Sequence, residues 1–232
     1  MKNIVALICA RGDSKGIKNK NLLKIGKKSL LRISIEQAKK IKSIKKIFVS
    51  TDSKKIAKEA IKYGAIVPFI RPKNLAKDTT PEILVWRHAI SFLNEKLKIN
   101  PDYIVSLPTT SPLRKLSDIN ACIKKSITSN LDVLFTATES SRNPFFNIIK
   151  KENKKISTVC NKNNKKYTRR QEAPTCYDLC TVCYIFKPQF ILENKDLYSG
   201  NADFFEVSKE SSIDIDTLFD YKLAKLLHNF NY

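Results

Sequence analysis

IVALICA, residues 4–10, is followed at once by the loop RGDSKGIKNKN, residues 11–21. The apolar run has no polar face, which is typical of a strand buried on both sides of a parallel sheet. In the loop, two glycines let the backbone approach a ligand, and Arg11, Lys15, Lys18 and Lys20 supply the cationic charge that a polyphosphate requires. Ligands of open α/β sheets collect at the carboxyl ends of strands. Phosphate binding is therefore one interpretation of this loop, and a solvated basic turn is the other.

Length and charge limit the class of protein. With 232 residues the chain is long enough for a full core, and we predict one domain spanning residues 1–232. The net charge of +21, from 43 basic and 22 acidic residues, would suit nucleic-acid binding. The lysines are nevertheless spread along the whole chain without a basic-aromatic block, so solvated helix faces explain most of them. We therefore expect no nucleic-acid partner.

The apolar run near the N-terminus does not indicate a membrane segment. It lies at the lower length limit of a signal-peptide core and leads straight into a basic loop. No stretch approaches the ~20 apolar residues of a membrane-spanning helix. The sequence predicts a cytoplasmic protein without a membrane partner.

Three of the six cysteines have a spacing that some metal sites use. Cys176, Cys180 and Cys183 form C-x3-C-x2-C, by which radical enzymes hold an iron–sulfur cluster. Such a cluster normally lies in a loop, whereas residues 181–186 have the composition of a strand. Small buried thiols in a reducing compartment are the favoured interpretation, and a metal site is the alternative.

Strand and helix patterns alternate along the chain. Strands are predicted at residues 4–10, 46–50, 65–70, 103–107 and 133–138. Helices are predicted after the caps Ser29 and Ser117, after the segment 51–53, from Pro81 as first helical residue, and at 218–229. The alternation implies right-handed βαβ units, and the predicted fold class is α/β, a three-layer α/β/α sandwich with a mainly parallel, Rossmann-like sheet. The Lys/Asn-rich stretch at residues 150–166 suits either a projecting polar hairpin or a disordered insert.

The loop at residues 11–21 carries a more specific signal than a generic phosphate motif. Gly12 and Gly16 lack the third glycine of G-x-G-x-x-G. The stretch does resemble ARGGSKGIPNKN, the signature of the sugar-activating cytidylyltransferases that make CMP-sialic acid and related CMP-nonulosonates. The resemblance implies a fold of the nucleotide-diphospho-sugar transferase type and a loop that binds the nucleotide CTP. The residues so implied are Arg11, Ser14, Lys15, Lys20 and Asn21.

Two further loops resemble motifs of the same family. RPKNLAKD, residues 71–78, matches R-P-x-x-L-A-x-D and implies Arg71 in nucleotide binding, with Thr79 and Thr80 as candidates for the base pocket. LPTTSPLR, residues 107–114, follows L-Q-P-T-S-P-L-R except that Pro108 replaces the glutamine, so no role of that side chain is carried over. Thr110 and Ser111 of this loop are candidates for sugar binding.

RRQEAPTCYDL, residues 169–179, resembles the family segment R-R-Q-D-x-P-x-x-Y-D-x. Adjacent arginines can bind a carboxylate, and a nonulosonic acid carries one, so the match implies Arg170 and Gln171 in sugar binding. In the family this region forms a small extension that reaches a second subunit. The resemblance thus implies a dimerisation extension at residues 140–178 and a homodimer with shared active sites.

IDIDT, residues 213–217, is the last motif. On a strand, Asp214 and Asp216 would point to one side while Ile213 and Ile215 point into the core. Mg²⁺ prefers one or two carboxylates plus phosphate oxygens and water, but a helix cap beside an exposed aspartate would explain the spacing too. The family's I-D-I-D-T segment holds the catalytic metal, which implies Mg²⁺ bound by Asp214 and Asp216.

The resemblance implies a cytidylyltransferase that uses CTP to activate a nonulosonic acid for cell-surface glycan synthesis. Arg11 and Lys20 would hold the triphosphate, and Asp216 is the candidate base. The sugar is expected to be legionaminic, N-acetylneuraminic or a related acid. The alternatives are a CMP-KDO-type or other sugar nucleotidyltransferase, a basic nucleic-acid-binding protein and an iron–sulfur protein.

Overall fold

The structure, a computed structural model, describes residues 2–161, 167–194 and 196–231. In chain order its strands are β1 (Ile4–Cys9), β2 (Lys24–Ile25), β3 (Lys28–Ser29), β4 (Ile44–Ser50), β5 (Tyr103–Ser106), β6 (Val133–Glu139), β7 (Ile149–Glu152), β8 (Lys155–Thr158), β9 (Tyr177–Phe186) and β10 (Ala202–Glu206). The helices are α1 (Leu30–Lys39), α2 (Lys54–Lys62), α3 (Glu82–Glu95), α4 (Leu116–Thr128), α5 (Pro188–Glu193) and α6 (Leu218–Asn231).

The central sheet has the order β10-β6-β9-β5-β1-β4 within the described residues. β1 pairs in parallel with β4 and β5, and β10 pairs in parallel with β6. Only β9 runs against its neighbours β5 and β6 in this part of the chain. The prediction of a mainly parallel α/β sheet is therefore confirmed, and the first strand lies inside it, as its uniformly apolar sequence predicts.

Side chains of β1 alternate between two hydrophobic layers. Ala6 and Ile8 pack in a cluster with residues of α1, α2 and α4, whereas Val5 and Leu7 pack in a second cluster with residues of α3 and α5. Helices thus cover both faces of the sheet, as the three-layer prediction requires. None of the helices in the described residues is both long enough and apolar enough to span a bilayer.

Several predicted boundaries are wrong. Residues 65–70 form only two isolated parallel bridges, from Ile66 to Phe48 and from Ile70 to Thr51, because Pro68 between them has no N–H to donate. Helix α4 begins before Ser117, which therefore lies in its first turn instead of capping it. Pro81 precedes the first helical residue of α3 by one position.

The Lys/Asn-rich stretch contains a polar hairpin. β7 and β8 pair antiparallel around a turn at Asn153 and Lys154, both of which have positive φ. Residues 162–166 of the predicted insert lie outside the described residues. The hairpin prediction is confirmed for the described part, and its role in joining two subunits stays a prediction. Sequence patterns did not identify β10 or the short helix α5.

Candidate active site

A cleft of about 230 Å³ opens at the carboxyl ends of β1 and β5. Three loops form it, at residues 10–23, 71–81 and 107–111, and this is where an open α/β sheet is expected to bind a ligand. Most of the residues predicted to bind nucleotide line this cleft, together with one predicted to bind sugar. They are Arg11, Ser14, Lys20, Asn21, Arg71, Thr80 and Thr110.

The predicted Lys15 and Thr79 do not belong to the lining. Lys15 is exposed and its Nζ forms an ion pair with Asp78 across the mouth of the cleft. This contact lowers the pKa of the Asp78 carboxyl. Thr79 is exposed next to it, whereas the Thr80 hydroxyl donates to the Asn74 carbonyl oxygen at 3.2 Å. The first loop, through Lys15, and the second loop, through Asp78, therefore meet at the entrance of the cleft.

Backbone and side-chain hydrogen bonds fix the first loop. The N–H of Gly12 donates to Asp52 Oδ1 at 2.8 Å, and Asn21 Nδ2 donates to the Arg11 carbonyl oxygen at 2.8 Å. Asn21 Oδ1 also accepts a hydrogen bond from the Thr109 hydroxyl. Because Asn21 is buried and both ends of its amide are occupied by protein, it positions the first loop against the third.

The acidic segment near the C-terminus closes one side of the first loop. Lys20 Nζ lies 2.8 Å from Asp216 Oδ1, and a Cβ atom on Gly16 would lie 2.4 Å from the Asp216 carbonyl oxygen. The absence of a side chain at Gly16 therefore lets the two segments touch. Contacts with Gly16 and Lys20, almost 200 positions away in the chain, therefore hold Asp216 at the edge of the predicted nucleotide site.

Residues 211–217 do not form the strand that the sequence predicts. They are assigned to no strand of the described residues. One backbone hydrogen bond, from the Ile215 N–H to the Thr110 carbonyl oxygen at 2.9 Å, holds them against the third loop of the cleft. Ile215 is fully buried, as expected. The two aspartates differ in exposure, since the Asp216 side chain is 71% exposed whereas Asp214 Oδ1 is buried and has no hydrogen-bond partner among the described residues.

A buried arginine that sequence reasoning did not single out lies beneath the cleft, near enough to Asp214 for their charges to interact. Arg114 is 2% exposed and donates to the carbonyl oxygens of Ser111 at 2.8 Å and of Pro108. Burial lowers the pKa of Arg114 to about 10, and the charges of Cys183 and Asp214 oppose this shift. Arg114 therefore holds the third loop in shape from beneath the cleft.

Two acidic or thiol groups in the cleft have raised pKa values. Glu82 is exposed as a residue, but its carboxyl loses solvent inside the cleft, which raises its pKa to about 7, while the neighbouring Arg71 guanidinium opposes the change. Burial also raises the pKa of the Cys9 thiol to about 12, which keeps the thiol protonated and unreactive. Arg71 is itself buried and donates from Nε to the Ser50 hydroxyl at 3.0 Å.

The predicted sugar residues do not come together. Arg170 and Gln171 line a second pocket of about 500 Å³, in which Arg170 Nη2 donates to the Ser140 carbonyl oxygen at 2.8 Å. Thr110 lies in the first cleft, and Ser111 is fully buried, with its hydroxyl 2.6 Å from that of Thr181. Ser111 therefore lines neither pocket in this structure, and its role in sugar binding stays a prediction.

The cysteine interpretation that favoured buried thiols agrees with the structure. Cys183 packs in the first hydrophobic cluster and Cys180 in a separate small cluster, while Cys176 is half-buried. No group of three or more Cys, His, Asp or Glu side chains with the proximity of a metal site occurs among the described residues. Nothing in this part of the chain supports an iron–sulfur cluster.

Comparison with known proteins extends over almost the whole chain. The model of the family described as Cytidylyltransferase matches residues 5–229. Post-translational flagellin modification protein B of Campylobacter coli is 39% identical over 227 residues, covering 98% of this chain and 95% of that protein. CMP-N,N'-diacetyllegionaminic acid synthase of Campylobacter jejuni is 38% identical over 227 residues with the same coverage.

Among solved structures, CMP:2-keto-3-deoxy-manno-octonic acid synthetase complexed with CTP has a similar fold. Its TM-score is 0.74, and the alignment covers 99% of this chain and 100% of that one. The sequence identity is 15%, so this similarity concerns the fold alone.

Proposed function

The chain belongs to the cytidylyltransferase family, and on this basis we propose that it transfers CMP from CTP to the anomeric hydroxyl of a nonulosonic acid and releases pyrophosphate. The substrate class is supported by the relative that is 38% identical and is named CMP-N,N'-diacetyllegionaminic acid synthase. We place the reaction in the cytoplasm, where CTP is available.

The strongest support is the convergence of cationic side chains on one cleft. Arg11 and Lys20 come from the first loop and Arg71 from the second, and all three line the same space at the carboxyl end of the sheet. A triphosphate carries several negative charges, which guanidinium and ammonium groups bind well. In phosphoryl-type transfer, such positioning and charge stabilisation supply most of the catalysis.

The reaction balances with these groups in place. The anomeric oxygen forms a bond to the α-phosphorus as the bond from that phosphorus to the bridging oxygen breaks, and pyrophosphate leaves with the electron pair. Arg11 and Lys20 would stabilise the charge that develops on the phosphate oxygens. The proton of the sugar hydroxyl must leave, and Asp216 is the proposed acceptor, because its exposed carboxylate stands beside Lys20 at the cleft.

The residues present also fit a bound Mg²⁺. Asp214 Oδ1 is buried without a hydrogen-bond partner, and a cation would satisfy it, while Asp216 supplies a second carboxylate. When bound, Mg²⁺ would neutralise charge on the phosphates. Arg11 and Lys20 would orient the triphosphate, and Arg114 would keep the third loop in position.

We further propose a homodimer in which residues 140–178 of each subunit complete the active site of the other. Three large apolar side chains in or next to this region are more than half exposed, which suits burial in an interface. They are Ile149 and Ile156 on the β7–β8 hairpin and Leu179 on β9. Light scattering would give the oligomeric state. Mixing an Asp214→Ala variant with an Arg170→Ala variant would restore activity if sites are shared.

Pyrophosphate release tests the reaction. Purified protein with Mg²⁺ and each nucleoside triphosphate would be assayed against legionaminic, N-acetylneuraminic, pseudaminic and octulosonic acids. We expect release only with CTP and a nonulosonic acid, and loss of the signal in Asp214→Ala. Release with the octulosonic acid alone would favour a CMP-KDO-type enzyme, and no release with any sugar would contradict the proposal.

A further inference from the structure

Helix α6 leaves an apolar face without a partner in the described structure. Its inner face packs on the core through the fully buried Ala224. On the outside, Phe219, Leu226 and Phe230 are 73%, 54% and 77% exposed. Spacings of seven and four residues place these three side chains in one stripe along the helix.

Lysines border this stripe. Lys222 and Lys225 are exposed on α6, on the side that turns from the stripe toward the β2–β3 hairpin. The helix is fixed to that hairpin by the Tyr221 hydroxyl, which donates to the Lys24 carbonyl oxygen at 2.6 Å. The apolar stripe, the helix lysines and the hairpin therefore form one continuous surface.

The same surface continues into a cationic groove of about 370 Å³ between the hairpin and α2. Its lysines make no ion pair with a carboxylate in the described part of the chain. Glu59, also in the groove, accepts a hydrogen bond from the Ser29 hydroxyl. The lysines of the groove are Lys24, Lys27, Lys55, Lys58 and Lys62.

We infer that this surface docks on an anionic phospholipid bilayer, with the groove lysines on the headgroups and the α6 stripe at the boundary of the acyl chains. A lysine cluster alone would suit any polyanion, but the adjoining stripe requires a partner that also has an apolar interior. A bilayer has both. A second copy of this chain would bring the same lysines face to face, and their repulsion disfavours that partner.

This inference differs from the sequence-based expectation of no membrane partner, which concerned spanning helices of ~20 apolar residues. Docking on a bilayer surface requires only one amphipathic helix with basic flanks. It also differs from the proposed reaction, because the stripe and the groove share no residue with the cleft. Failure of either proposal therefore leaves the other standing.

Co-sedimentation with vesicles tests the docking surface. The full chain would be mixed with vesicles of phosphatidylcholine, with and without phosphatidylglycerol, at low and high salt. We expect binding only with the anionic lipid, weakened at high salt. Equal binding to both vesicles, or none to either, would overturn the inference.

Matched variants separate the two parts of the surface. We expect Leu226→Ser/Phe230→Ser and Lys55→Glu/Lys58→Glu each to lower the partition coefficient roughly tenfold or more, with CTP turnover retained. The control Lys96→Glu/Lys98→Glu changes the same charge at the exposed end of α3, on the opposite face of the sheet, and should have a smaller effect. If both lysine variants lost vesicle binding equally, net charge alone would determine binding, and the groove would not be the docking site.

Three further measurements keep the inference falsifiable. Trp86 is fully buried, so a Phe230→Trp variant adds a reporter whose emission should shift to the blue with anionic vesicles. No shift would contradict insertion of the stripe. If Leu226→Ser/Phe230→Ser changes the oligomeric state but not vesicle binding, the stripe is a contact between copies and the inference is wrong. Binding of the chain to DNA but not to vesicles would also contradict the inference.

Discussion

Gly16 and Asp216 are in backbone contact, since a Cβ atom on the glycine would lie 2.4 Å from the aspartate carbonyl oxygen. The contact joins the first loop of the chain to the segment that precedes its last helix. The ion pair from Lys20 to Asp216 spans the same junction. The predicted triphosphate loop and the predicted metal ligands therefore depend on one close packing contact.

A Gly16→Ala variant should disrupt this junction. The added methyl group cannot fit without movement of the Asp216 backbone, and overpacking of this kind costs about 1–3 kcal/mol. We expect pyrophosphate release to fall at least roughly tenfold, because a displaced Asp216 no longer meets the nucleotide. The control Asp13→Ala changes an exposed residue of the same loop and should retain activity. Wild-type turnover in Gly16→Ala would show that the loop can shift without effect.

Lys20 should matter for catalysis more than for stability. The Lys20 side chain is only 16% exposed, but its partner Asp216 is 71% exposed, so solvent screens the ion pair and its contribution to stability is about 0–1 kcal/mol. We expect Lys20→Met to lower kcat roughly 100-fold through lost stabilisation of phosphate charge, with a Tm close to wild type. Steady-state kinetics and thermal unfolding would be measured together. A large drop in Tm with little change in kcat would assign Lys20 a structural role instead.

The neighbouring Lys18 provides the matched control for this variant. It is exposed and forms no ion pair in the part of the chain that the structure describes. Lys18→Met removes the same charge from the same loop. An equal loss of kcat in both variants would indicate that the overall charge of the loop, and not the position of Lys20, determines the rate.

The contributions of Asn21 and Thr109 to stability should be coupled. Its amide connects the first loop to the third, by donating to the Arg11 carbonyl oxygen and accepting from the Thr109 hydroxyl. We expect Asn21→Ala and Thr109→Val each to lower the free energy of unfolding by about 1–3 kcal/mol, because each leaves a buried polar group without a partner. The double variant should lose less than the sum of the two. Strict additivity in urea unfolding would contradict the coupling.

Local sequence patterns predicted the layers of the fold but not the contacts between distant segments. The apolar run of β1 was sufficient for a buried parallel strand, because a strand buried on both faces cannot be polar on either. The antiparallel direction of β9 could not be predicted, since side-chain alternation is the same for both directions. The loop at residues 65–70 has the composition of a strand, but Pro68 cannot donate a hydrogen bond and therefore prevents continuous pairing.

Site residues could be predicted from the sequence when they lie within a short, recognisable motif. Arg11, Lys20 and Arg71 were identified from their loops and line one cleft. Glu82 and Arg114 were missed as site residues, because Arg114 matters through its burial and Glu82 through the charged groups around its carboxyl in the cleft, and local sequence patterns show neither. A carboxylate at the start of a helix looks like an ordinary favourable interaction with the helix dipole, so the sequence gives no sign of its raised pKa.

Glu82 should make the stability of the protein depend on pH in a defined direction. Partial loss of solvent around the carboxyl in the cleft raises its pKa from 4.5 to about 7, so the folded state holds a proton that the unfolded state releases between these two values. Unfolding in this window releases that proton, and the contribution of Glu82 to stability therefore falls as pH rises from 4.5 to 7. Glu82→Gln cannot lose a proton and should remove this fall. The carboxyl lines a cleft that is open to solvent, so we expect less than the full shift implies, about 1 kcal/mol or about 2–4 °C in Tm at pH 8.

Thermal unfolding of wild type and Glu82→Gln at pH 4.5, 6 and 8 would measure this difference. The two proteins should have similar Tm values at the lowest pH, and the variant should be the more stable at the highest. Glu95→Gln, at the exposed end of the same helix, is the matched control for replacing a glutamate by glutamine, and a pH dependence equal to that of Glu82→Gln would contradict a specific effect of Glu82. If Glu82→Gln is less stable than wild type at pH 8, the Glu82 carboxylate is stabilised by Arg71 more than burial destabilises it, and the raised pKa is wrong.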